Sequence, residues 1–439
     1  VKTRGAEVQT ASCRMPPSPD LAAERGRASF PPAELTRLMR GGAAGVASRE
    51  GVLARLKADP LLGRGRLEDH FLSREEAFKL GLERYARVYE LGLPSDEAFA
   101  GMGLGREGGL LEKSGSWGLH TGMFMPTIQL LGTDAQREKW LALARTAAIV
   151  GTYAQTELGH GTNLTKLETT AHYDAVTQEF VLHSPTVTAT KWWPGGLGKC
   201  ATHAVVMARL LLGGQDRGQH SFIVQLRDLR SHQPLPGIEL GDIGPKMGYS
   251  RVDNGFLILN QVRVPREQHL ARHGSVEPDG TYVPSGDNPK AVYGTMLIVR
   301  VYLVEESSVA LQHATTVATR YSAVRRQGGG GGGGGPERQV LEYQTQQARL
   351  FPLIAAALGC HFAARALRED YRGFRATADV RVLPELHARS AGLKAYCTSL
   401  AVAGVETCRL LCGGHGYSMA SGLPDLFREF APSQTYEGD

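Results

Sequence analysis

The spacing of apolar residues changes twice along this chain of 439 residues, and each change limits what the segment can fold into. From residue 32 to about 143, apolar residues recur at three and four. The stretches 53–57, 74–91 and 135–144 are rich in Ala, Leu, Glu and Arg, which predicts amphipathic helices. Ser73, Glu75 and Glu76 add a serine N-cap followed by early acids. Between residues 151 and about 265 the texture becomes short β-branched and aromatic runs at 180–182, 203–212, 221–226 and 255–259, separated by Gly, Pro, Asp and Asn. That punctuation predicts an antiparallel sheet or small barrel. After Asn288 the helical period returns through Met296, Leu297, Val299, Leu303, Ala310, Leu311, Ala314, Val317, Tyr321 and Val324. Two further helices are expected at about 344–370 and 386–412, and three long helices together ask for a bundle.

The fold class expected is therefore α+β: a helical N-terminal domain at 1–150, a central antiparallel β-barrel-like domain at 151–288, and a C-terminal helical bundle at 289–439. The length exceeds what one core usually supports. Hydrophobic residues at 42% and charged residues at 21% fit an ordinary soluble globular protein. A net charge of +5 suits anionic ligands such as a nucleotide or a coenzyme A phosphate, but no basic block predicts nucleic-acid binding.

Several familiar sites are excluded by context. Gly103, Gly105 and Gly108 spell GxGxxG, yet no parallel strand precedes them, so a dinucleotide fingerprint is not expected. No P-loop, HExxH or GxSxG motif is present. The six cysteines lack CxxC spacing, which predicts reduced thiols in an intracellular compartment. Cys408, Cys412 and His415 lie close together without a second ligand pair, so zinc is not expected. No apolar run reaches the ~18–20 residues of a membrane span, and residues 1–15 carry no apolar signal region. The opening valine suggests a trimmed start, and the eight glycines from Gly328 to Gly335 predict a flexible loop between long helices.

Two polar stretches bear candidate chemistry. Residues 151–163 place hydroxyls, an amide and three glycines together, offering donors to a ring edge or a pyrophosphate. Residues 191–198 set Trp192 and Trp193 beside Gly195 and Gly196, a flat wall with a backbone that can approach closely. The alternative readings are a polar turn and a pair of core tryptophans.

The stretches TYAQTELGHGTN, LETTAHYD, KWWPGGLGK, MGYSRVDNGFL with VRVPREQ, YSAVRRQ, and CGGHGYS leading to TYEGD resemble the peroxisomal acyl-CoA oxidases of the acyl-CoA dehydrogenase superfamily. The resemblance runs from about Ser18 to Asp439. It implies an FAD enzyme, working as a homodimer with FAD near the subunit interface, that oxidises fatty acyl-CoA to trans-2-enoyl-CoA and passes electrons to O2 as hydrogen peroxide. Residence in the peroxisome is implied by the family alone, since no SKL signal is visible. The family continues into a further helical domain, so the chain is expected to be C-terminally truncated, with a fourth bundle helix missing.

Carried over residue by residue, the resemblance makes Glu437 the catalytic base. It assigns the isoalloxazine to Tyr153, Ala154, Gln155 and Thr156, with Gly161, Thr162 and Gly195. It assigns the FAD phosphates and adenine to Arg325, Gln344, Thr345, Gln346, Gln347, Gly413 and Gly414, and acyl-CoA to Lys290, Tyr293 and Arg300. It further implies that the backbone N–H of Glu437 polarises the thioester carbonyl in oxyanion-hole fashion. An acyl-CoA dehydrogenase reducing an electron-transfer flavoprotein and an inactive acyl-CoA-binding isoform are the alternatives.

Overall fold

The computed structural model describes residues 18–63, 67–92, 115, 117–285, 294–328, 336–377 and 379–438. It is an α+β fold with helices at both ends of a central sheet unit. The first part holds α1 (Pro19–Gly26), α2 (Pro32–Arg40), α3 (Ala43–Ala58), α4 (Arg74–Glu90), α5 (Met125–Leu131) and α6 (Asp134–Arg145). Ser73 caps α4 through a reciprocal capping box with Glu76, and Thr133 does the same for α6 with Gln136.

The strands are β1 (Gly151–Ala154), β2 (Thr170–Asp174), β3 (Glu179–His183), β4 (Lys191–Trp192), β5 (His203–Leu212), β6 (Gln215–Gln225), β7 (Ile238–Asp242), β8 (Gly255–Leu259) and β9 (Val262–Pro265). A six-stranded sheet runs from β6 through β5 to β2, β3 and β9, while β1 pairs the first half of β5. A second sheet orders β4-β8-β7. The pairing is antiparallel except that β5 runs parallel to β1 and β2. Hydrophobic alternation alone leaves strand direction open, and long connections permit either. The inner faces close on Phe180, Leu182, Phe222, Val224 and Leu257, all fully buried.

The bundle consists of α7 (Gly294–Val324), α8 (Gln344–Thr377) and α9 (Leu383–Leu411), followed by α10 (Gly413–Tyr417) and α11 (Leu423–Phe430). Leu297, Val301, Val304 and Leu311 of α7 pack with Leu350, Leu367 and Tyr371 of α8 and with Ala401 and Val405 of α9. One helix bears on the expectation that no apolar run reaches span length. Helix α8 is long and apolar enough to cross a membrane, with a window of mean hydropathy 1.6. That window is no unbroken apolar run, because polar residues interrupt it; its buried residues serve the bundle core. Gly328 closes against Arg338, whereas Gly329 to Gly335, where a flexible loop is expected, and the GxGxxG stretch at 103–108 lie outside the described residues.

Ion pairs and close contacts join the three parts. Asp69, buried, takes Arg84 at 2.7 Å and Arg251 of the sheet unit at 3.1 Å, and Arg74 grips both oxygens of Asp242. Helix α2 lies on the bundle, its last carbonyls meeting His361 and Arg365. At the seam between α5, α6 and the sheet, His120 is fully buried. Its Nδ1 accepts from Gly151 N at 2.9 Å, so Nε2 carries the proton and faces Ala144 O at 3.1 Å. A Cβ at Gly151 would lie 2.2 Å from the Phe124 ring, so only glycine fits there.

Burial pushes His120 and His203 down to about 4 from the usual 6.5. The unfolded chain therefore binds more protons between pH 6.5 and about 4, and the stability present above pH 6.5 is lost as pH falls through that window. Each such histidine contributes roughly 1.4 kcal/mol per pH unit there. Thermal melts from pH 7.5 to 4.5 should show a steep fall in Tm below 6.5, shallower in His120→Asn after allowance for its lower starting stability.

Candidate active site

Strand β1 delivers Tyr153 and Ala154 directly from the Phe124–Gly151 contact, and Gln155 and Thr156 follow at its end. Ala154 is fully buried in the sheet core, whereas Tyr153 is half-buried, its hydroxyl donating to Gln155 Oε1 at 3.2 Å. The loop after Thr156 is fixed by a fully buried ion pair. Lys191 Nζ donates to Glu157 Oε1 at 2.9 Å and to the carbonyls of Gln155 and Met207. Glu157 also accepts from the Glu168 and Thr169 amides and from Thr169 Oγ1. With every polar atom matched, the pair tolerates an interior that would otherwise penalise both charges. Desolvation still lowers Lys191 to about 8, with Glu157 opposing the shift. Gly161 and Thr162 lie beyond it on the exposed rim of the loop.

The turn after β4 crosses beside this strand. Thr152 Oγ1 donates to Gly195 O at 2.6 Å, and a Cβ on Gly195 would come within 2.8 Å of Val252. Trp193, 54% exposed, is held at φ +90°, a conformation unusual for a bulky residue. Asn254 Nδ2 donates to the Trp193 carbonyl at 2.6 Å, while Asn254 Oδ1 is buried without a hydrogen-bond partner among the described residues. Buried Asp253 organises the turn, accepting from the amides of Gly196, Lys199 and Cys200 at 3.1, 2.8 and 2.8 Å. Desolvation raises its carboxyl, and those amides pull it back.

Glu437 reaches this region from the other end of the chain. Its turn follows the short helical turn Ala431–Gln434, and Glu437 itself sits at φ +61°. The Glu437 charge acts on Tyr153, whose phenol is raised first by burial and then by that carboxylate. Burial also raises the Glu437 carboxyl above its ordinary 4.5, while Arg300 and Lys394 pull it down. Arg300, one of the acyl-CoA candidates, donates from Nε to Glu437 O at 3.1 Å, and its NH1 lies 3.2 Å from His387 Nδ1. Helix α7 brings its N-terminal part under the turn, and that proximity decides the partner. Lys290 and Tyr293 lie outside the described residues.

The remaining candidates gather at the far end of the bundle. Gln346 Nε2 donates to Ser322 Oγ at 2.8 Å and to Leu411 O at 3.2 Å, and Gln347 Nε2 to Leu341 O at 2.9 Å. Arg325, Gln344, Thr345, Gly413 and Gly414 are exposed around them. Arg300 and Arg325 lie on and just beyond one continuous helix, roughly 37 Å apart at 1.5 Å per residue. The structure thus makes two clusters from one list. Cys408 and Cys412 are buried in the bundle core, and the His415 ring lies 5.7 Å from that of Tyr321, tilted by 53°.

Comparison with known proteins matches each of the three parts of the chain to a family. Residues 31–150 match the acyl-coenzyme A oxidase N-terminal family, 152–262 the acyl-CoA dehydrogenase middle domain, and 293–439 the acyl-CoA oxidase C-alpha1 domain. Peroxisomal acyl-coenzyme A oxidase 1 of Rattus norvegicus is 44% identical over 430 residues, covering 96% of this chain and 64% of the relative. The chain belongs to the acyl-CoA oxidase family. Acyl-CoA oxidase 1 of Arabidopsis thaliana superposes with a TM-score of 0.89 at 47% identity, covering 95% of this chain and 64% of that one. Acyl-CoA oxidase-2 of Caenorhabditis elegans, solved with FAD, ascaroside-CoA and ATP, gives 0.88 at 40% identity, over 96% and 64%. The chain therefore spans about 64% of the length of these acyl-CoA oxidases.

Asp253, Lys191, Glu157 and Lys394 were not among the sequence candidates. The first three stand inside the quoted motifs, where a charge amid glycine and aromatic residues was the available signal. Asp253→Asn should cost about 1–3 kcal/mol of stability in urea unfolding and speed amide exchange at residues 196–200. Unchanged exchange there would remove Asp253 from its organising role.

Proposed function

We propose that the protein is an FAD-dependent acyl-CoA oxidase that converts fatty acyl-CoA to trans-2-enoyl-CoA, with Glu437 removing the α-proton. The observation that carries this reading is the half-buried Glu437 carboxyl near Tyr153, raised by burial and with two cations acting on it. A carboxylate held above its ordinary range is a better base near neutral pH than a solvated one.

The residues present suit a flavin. The Gly195 backbone lies bare where a side chain would clash, the exposed Trp193 indole offers a flat face, and Asn254 Oδ1 awaits a donor. Tyr153, Ala154, Gln155, Thr156 and Gly195 would hold the ring, with Gly161 and Thr162 at its rim. When bound, FAD supplies the acceptor for the β-hydride and the route of the electron pair to O2, giving hydrogen peroxide.

Glu437 takes the proton from the α-carbon on the opposite face of the acyl chain. Its own N–H, which has no acceptor among the described residues, is available to the thioester oxygen as negative charge develops there. Tyr153 and the half-buried surroundings of the carboxyl limit water at the reacting carbons.

Arg325, Gln344, Thr345, Gln346, Gln347, Gly413 and Gly414 suit phosphates and adenine, with Arg325 offering a fork of donors. Arg325, just beyond α7, lies roughly 37 Å along that helix from Arg300, so this cluster is set well away from the Glu437 turn. We therefore assign them to the FAD of a second subunit in a homodimer. Residence in the peroxisome accords with the names of the relatives.

Glu437→Gln should retain FAD and lose α,β-dehydrogenation by about 10²–10⁴-fold, read as peroxide release under air. Retained turnover would refute the base assignment. Turnover that needs an added electron-transfer flavoprotein and yields no peroxide would make the protein a dehydrogenase. For the wild type, kcat/KM should fall on acidification through a pKa above 4.5, because the raised carboxyl gains its proton there.

A further inference from the structure

We propose that Lys394, with Arg300, is a positioning residue that locks the Glu437 turn in its reactive shape by binding the turn's carbonyls from beneath. The proposal rests on Glu437 acting as the base.

Lys394 lies on α9 with no exposed surface, although lysine is among the residues least often buried. A buried ammonium is costly unless its protons are matched. Its Nζ donates to Gln434 O at 3.0 Å and to Gly438 O at 2.6 Å. Arg300, from α7, donates to the carbonyl between them, that of Glu437, at 3.1 Å. Two cations from two different helices thus hold three carbonyls of one five-residue segment. The segment needs such holding, since Glu437 stands at φ +61° and Gly438 at φ +82°. A non-glycine residue in that region is strained and persists where its surroundings over-determine it. A Cβ at Gly438 would also come within 3.3 Å of Arg300 NH2, so the cation is seated tightly against the turn.

The same contacts place two positive charges near the carboxyl, and among the described residues neither is in a direct ion pair with it. The groups facing Glu437 are Tyr153 of β1, Tyr436 of its own turn, Arg300 of α7 and Lys394 of α9, with Tyr249 and Tyr302 grouped around Tyr436. Every one of the other groups in this set is a phenol, so among the described residues it is these cations that oppose the effect of burial. Removing Lys394 therefore loosens the turn and lets the carboxyl hold its proton to higher pH.

The test compares Lys394→Met, Lys394→Arg and Glu437→Gln with wild type. In the FAD-free protein, hydrogen–deuterium exchange at residues 434–438 should be at least about tenfold faster in Lys394→Met. In the FAD-containing protein, kcat should fall at least about tenfold with KM changed less than about threefold, and the acid limb of kcat/KM should move up by about one pH unit. Lys394→Arg should recover part of both effects, and it decides the matter if Lys394→Met does not fold. Unchanged exchange and an unmoved pH profile in the folded variant would overturn the proposal. Full turnover by Glu437→Gln would instead overturn the base assignment, leaving the exchange result to judge the Lys394 contacts separately.

Discussion

Strand β1 starts under the Phe124 ring, and that contact sets the position of the rest of the site. The ring occupies the space of the Gly151 side chain, and His120 ties the Gly151 amide to the end of α6. A helical unit and a sheet thereby share one rigid seam. Tyr153, Gln155 and Thr156 are two to five residues further on, too close to the seam to drift.

Buried cations carry the same function twice. Lys191 binds the Gln155 carbonyl and pairs with Glu157, stiffening the end of β1. Lys394 binds carbonyls on either side of Glu437. In both places the ammonium is surrounded by acceptors, so its charge becomes a fixed point rather than a defect. Asp253 is the anionic counterpart, gathering three amides of the turn that carries Gly195. A site assembled from β1, the turn after β4 and a turn beyond α11 needs such cross-links because no single element holds it.

Local sequence made the helices and most strands legible. The 203–212 and 255–259 runs coincide with β5 and β8, and the serine cap predicted the start of α4. Motif resemblance brought out Glu437, Tyr153 and Gly195, which the fold gathers together. Arg300 was legible as a candidate cation, but its contact with the Glu437 carbonyl was not, because what a guanidinium meets depends on what is packed opposite. Lys394 gave still less sign, as a single lysine in an apolar helix reads as a surface charge until the opposite wall is known.

The sequence by itself determined the order of the units, their helical or extended character, and the residue types at the Glu437 turn, because these follow from periodicity and local steric preference. Tertiary structure alone decided that β5 runs parallel to β1 and β2, that Arg300 and Lys394 converge on one turn, and that the candidate cofactor residues fall into two distant clusters. Those outcomes depend on contacts between segments from about forty to well over a hundred residues apart, and no local propensity encodes which distant group will meet a given side chain.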